Sequence, residues 1–77
     1  MTQNELNSFI YRILAENGTW MTFHQLDAIL AREAKEWSEF VRQSYLRGEL
    51  GHMIRSGQVL RDPKFARYKV SDDVNLF

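Results

Sequence analysis

With 77 residues, no cysteine and a formal net charge of zero, the chain has the length of one small domain and cannot carry a disulfide framework or a thiolate zinc site. Apolar residues make up 44% and charged residues 26%, which is the composition of a folded globular domain and not of a disordered one. No apolar run approaches the ~20 residues that span a bilayer, and the opening MTQNELN lacks a signal peptide's basic start, so a cytoplasmic protein is expected.

Leu6, Phe9, Ile10, Ile13 and Leu14 recur at helical spacing and predict a first helix over about 5–17. Asn4 is the expected N-cap, and Asn17-Gly18 supplies the stop. Thr19-Trp20-Met21 is short and β-prone, enough for a stub of strand, with Trp20 as a core or half-buried aromatic.

Thr22 followed three residues later by Gln25 is a capping box that opens a second helix. Its apolar stripe runs Phe23, Leu26, Ile29, Leu30 and resumes at Trp37, Phe40 and Val41. Either one helix covers 23 to about 41, or two pieces meet near Lys35. Trp37, Phe40 and Val41 then complete the core or belong to a dimer or partner interface, where aromatics are enriched. On one continuous wheel Val41 and Tyr45 lie opposite Leu46, Leu50 and Met53, so a turn at Arg42-Gln43 with Ser44 as cap is expected. The third helix then covers 44–56, and Gly57 follows its last turn. Gly48 and Gly51 inside it each cost about 1 kcal/mol relative to alanine. They are either tolerated in a marginal helix or keep its outer side low for the approach of another helix or a nucleic-acid backbone.

Val59-Leu60-Arg61 and Arg67-Tyr68-Lys69-Val70 are strand-forming, with Asp62-Pro63-Lys64 as turn chemistry between them. The tail 71–77 is acidic and then apolar, ending in Leu76 and Phe77. Charge is unevenly spread. Residues 40–70 hold seven basic groups against Glu49 and Asp62, while residues 1–39 hold three against six acidic ones. The C-terminal half therefore carries a local positive field that the overall balance conceals.

The order helix, stub strand, helix, helix, strand, strand, mainly α with a small β hairpin, resembles the winged helix-turn-helix superfamily over about residues 5–70 of a single domain. The run Ser44-x-Leu46-Arg47-x-x-Leu50-x-x-Met53-x-x-x-Gly57-x-Val59 is similar to a recognition helix leading into the first wing strand. The segment 32–43 is longer than the superfamily's usual join between second and third helices. The resemblance implies a stand-alone regulatory protein of transcription or replication that binds double-stranded DNA as a dimer. It implies helix 44–56 in the major groove and wing 59–70 on phosphates. Gln43, Ser44, Tyr45 and Arg47 would then face outward at the start of that helix, with His52 and Arg55 further along. Arg61, Lys64, Arg67 and Lys69 would form the wing's basic face. The alternative within the same fold is a protein-interaction module that uses Trp37, Phe40, Val41 or the tail.

Catalytic signatures are missing: there is no nucleophile elbow, phosphate-binding glycine loop or cysteine nucleophile. His24 with Asp27, and Glu49 with His52, have metal-ligand spacing on a helix. Two isolated pairs fall short of a metal centre, and surface hydrogen-bonding histidines are the expectation. No enzyme activity, metal or cofactor is expected.

Overall fold

Three α-helices and a three-stranded antiparallel sheet make up residues 1–71, the part of the chain that the computed structural model describes. The expected tail contacts through Leu76 and Phe77 lie outside the described residues. Helix α1 (Leu6–Asn17) is preceded by a turn of 3-10 helix, Gln3–Glu5. The cap is Thr2 and not Asn4: the Glu5 carboxylate accepts from the Thr2 N–H at 3.1 Å and from its hydroxyl at 2.9 Å, and Asn4 falls inside the turn. Gly18 stops the helix with φ of 75°, its N–H donating to the Leu14 carbonyl. That backbone conformation is one glycine adopts without penalty. Leu6, Phe9, Ile10 and Leu14 are buried, as their spacing demands.

Strand β1 is Met21–Thr22, a residue beyond the expected stub. It pairs with β3 through Met21↔Tyr68 and Thr22↔Arg67. Thr22 is also the cap of α2 (Phe23–Glu33): its hydroxyl accepts from the Gln25 N–H at 3.1 Å, and the Gln25 side chain accepts from the Thr22 N–H at 2.9 Å. The first free N–H of α2, on Phe23, donates to the Ala66 carbonyl, so the sheet and the helix start are tied at one point.

The expected turn at Arg42-Gln43 is not there. Helix α3 runs unbroken from Glu39 to Arg55, and Ser38 is its cap, accepting from the Val41 N–H at 3.2 Å. The break lies over 34–38, where Ala34 leaves helical geometry, so of the two expected arrangements the one with two pieces meeting near Lys35 is found. The two apolar faces of α3 are both covered, so no turn is needed to reconcile them. Leu46, Leu50 and Met53 point into the core, while Tyr45 meets Trp37 edge-on with centroids 5.0 Å apart. The long join is thus absorbed by extending α3 backward. Phe40 is the exception to the core expectation: Trp37 and Val41 are half-buried, whereas Phe40 is 81% exposed.

After Gly57, whose φ is 82°, strands β2 (Val59–Arg61) and β3 (Arg67–Val70) form the hairpin with register Val59↔Val70, Leu60↔Lys69 and Arg61↔Tyr68. The sheet order is β1-β3-β2. Met21, Val59 and Tyr68 line its inner face against the leucine-rich stripes of the three helices. Element order and sheet together are winged helix-turn-helix topology.

One polar interaction crosses the helix pair. Asp27 of α2, nearly buried, accepts from Arg42 through Nε at 2.6 Å and Nη2 at 3.0 Å, and from Gln43 at 3.1 Å. The hydrogen bonds from Arg42 hold the Asp27 carboxyl below its usual range, against the opposing effect of burial. A depressed carboxylate contributes stability above its unfolded value, about pH 4, and loses it as pH falls through the folded value. Asp27→Ala is expected to cost about 2 kcal/mol in urea unfolding near neutral pH, since charge-assisted bonds are lost. Asp27→Asn is expected to flatten the fall of stability between about pH 5 and pH 2 relative to the wild type.

Candidate nucleic-acid interface

Plotted at ~100° per residue, Phe40, Ser44, Arg47, Gly48, Gly51 and Arg55 share one side of α3, within a sector about 100° wide. All but the half-buried Gly51 are exposed, and His52 is exposed beside them. Arg47 and Arg55 are about 12 Å apart along the axis, and no carboxylate lies in the sector. Glu39 stands to one side at the helix start, and Glu49 is turned inward, where it accepts from the Asn7 amide at 3.0 Å. The two glycines differ. A Cβ on Gly51 would sit 3.3 Å from Nη1 of Arg55, so Gly51 gives that arginine room to fold back; a Cβ on Gly48 would meet nothing within 4 Å.

Two residues expected on this face are elsewhere. Gln43 is half-buried and its amide donates to Asp27 and Glu39. Tyr45 is half-buried against Trp37. The reason is the backward extension of α3: these residues sit more than a turn inside the helix and not at its exposed beginning. Arg47 is exposed and rests over the Phe23 ring, 5.1 Å from its centroid.

The wing divides its cations. Arg67 and Lys69 project from the outer face of β3, opposite Tyr68. Arg67 forms an ion pair with Asp62 and lies 5.5 Å from the Trp20 ring centroid and 5.1 Å from that of Phe65. Lys69 lies 5.0 Å from the Trp20 centroid. Contacts of this kind each contribute about 0.5–1 kcal/mol at exposed sites. Arg61 and Lys64 are exposed at the loop end, and Arg61 also donates to the Asp62 carbonyl. Asp62 organises the loop: its Oδ1 accepts from the backbone N–H of Lys64 at 2.8 Å and of Phe65 at 3.4 Å. The Arg67 bond, and then these N–H groups, hold its carboxyl below the usual range. Phe65 stands 59% exposed beside them.

The metal-spaced pairs do not converge. Asp27 is taken by Arg42, Glu49 by Asn7, and among the described residues no group of three or more His, Cys, Asp or Glu could hold a metal ion. Among the same residues no helix is long and apolar enough to cross a membrane.

Trp20 is half-buried, as expected; sequence reasoning missed that Trp20, Phe23 and Phe65 carry the cations of this surface. The usable signal was the alternation in β3, which predicts that Arg67 and Lys69 share a face. It also missed a groove of about 660 Å³ between the start of α2, the middle of α3 and the loop end of the wing. No short motif marks a groove built from three separate elements. Comparison with protein-family models, curated proteins and solved structures finds no match for this chain.

Because one carboxylate holds the wing loop, Asp62→Ala is expected to speed amide hydrogen exchange at Lys64 and Phe65. Exchange in α1 and α3 should stay at the wild-type rate. Equal acceleration throughout the chain would show that the loop is not a separate unit.

Proposed function

We propose that the protein binds double-stranded DNA, with the outer face of α3 in the major groove and the wing along the phosphate backbone. One observation carries the reading. The exposed side of α3 bears Arg47, Arg55 and Ser44 around a glycine, and no acid lies among them. Gly48 costs the helix about 1 kcal/mol relative to alanine, and no neighbour among the described residues requires its small size. A close approach from outside the molecule explains it. Arg47 is suited to a guanine edge, and Ser44 and Arg55 to phosphate oxygens. In the wing, Arg61 and Lys64 are the cations in position to reach phosphate, while Arg67 and Lys69 hold the outer sheet face in shape. One helix and one short wing make few contacts, so a dimer on two half-sites is the form in which such a protein would regulate transcription or replication.

Phe40 favours a second reading. It is 81% exposed on the same side of α3, and an unpaired phenylalanine among polar residues suits a protein partner.

Titration of random-sequence duplex DNA at low and moderate salt separates the two. DNA binding predicts affinity that falls with salt, and Arg55→Ala should lower the log–log slope by about 0.9. Arg47→Ala should weaken binding about tenfold, with a cost of no more than about 1 kcal/mol in folding. Gly48→Ala should stabilise the helix by about 0.5–1 kcal/mol and yet weaken DNA binding. No salt-sensitive binding at low salt, or a Gly48→Ala variant that binds as the wild type does, would overturn the reading.

A further inference from the structure

The groove between α2, α3 and the wing has walls of Phe23, Phe65 and Tyr68, and its polar groups include Arg47, Arg67 and His24. Its volume of about 660 Å³ falls in the range of small-molecule sites, about 300–1,000 Å³. Among the described residues no carboxylate lines it. The two arginines are not equivalent: Arg67 is already balanced by Asp62, whereas Arg47 makes no ion pair among the described residues. The groove therefore offers aromatic walls and one uncompensated guanidinium, placed directly over the Phe23 ring.

We propose that this groove is a binding site for a planar aromatic monocarboxylate. The ring would lie between Phe23 and Phe65, where offset or edge-on aromatic contacts are favourable. The carboxylate would be taken by Arg47, whose planar fork matches it with two parallel donors. One guanidinium with no ion pair among the described residues matches one carboxylate. Arg47 also belongs to the outer face of α3, so an occupied groove withdraws a cation from that face and links the two surfaces.

The test is amide-resolved NMR titration of the whole chain, without DNA, using 1-naphthoate and its neutral counterpart 1-naphthalenemethanol as probes. Saturable shifts are expected at Phe23, His24, Arg47 and the stretch Phe65 to Tyr68. Naphthoate should bind about tenfold or more tightly than the alcohol, as a charge-assisted bond implies. Arg47→Gln should remove that preference, and Phe65→Ala should weaken both probes alike while leaving the preference intact. Equal affinity for both probes in the wild type would reduce the groove to an apolar patch and overturn the proposal. So would shifts scattered over the surface, or no saturation by about 5 mM. Because DNA is absent, failure here leaves the DNA reading standing, and failure to bind DNA leaves this site standing.

Discussion

The Asp27 carboxylate is the joint on which the two central helices depend. Hydrophobic contact between α2 and α3 is non-directional and would tolerate a range of crossing angles and registers. Two bonds from the Arg42 guanidinium and one from Gln43 onto a single carboxylate tolerate much less. They are made at the end of the first turn of α3, one turn ahead of Leu46 in the core. The clamp also decides the charge of the surface. Arg42 is consumed by it, which leaves Arg47 and Arg55 as the cations that α3 turns outward.

A similar economy runs through the wing. A short hairpin is marginal by itself in water, and this one is braced on both faces. Tyr68 and Val59 pack inward, while Trp20, Arg67, Phe65 and Lys69 stack outward. Asp62 closes the arrangement by holding the loop N–H groups with one oxygen and Arg67 with the other. The basic wing is thus two populations. Arg67 is paired with Asp62 and, like Lys69, lies over aromatic rings, whereas Arg61 and Lys64 are exposed at the loop end. Alternating charge along a strand does not by itself separate the two.

Arg47 lies where two surfaces meet. Its side chain leaves the outer face of α3 and lies across Phe23 at the start of α2, at the margin of the groove. A long flexible side chain with a planar charged end can serve either surface, and the choice between them is a rotamer change and not a refolding. One residue thus belongs to both the groove and the helix face.

Local signals determined much of this protein. The helical spacing of Leu6 to Leu14, the glycine stops at 18 and 57, the Thr22–Gln25 box and the hairpin 59–70 each rest on residues close in sequence, and each is found in the structure. From their order the winged helix-turn-helix arrangement was legible. A break near Lys35 was legible as one of two alternatives, but the extra turn placed at Arg42-Gln43 was wrong, because a helix with two apolar faces conflicts with a single apolar stripe. Trp37, a residue outside α3, covers the second face, and only the tertiary packing supplies it. The same displacement moved Gln43 and Tyr45 inward and left Phe40 outside. The groove and the division of the wing cations were likewise decided in three dimensions. Periodicity reports which side of an element is apolar, but which neighbour meets that side, and which charges are thereby neutralised, depends on residues distant in the chain.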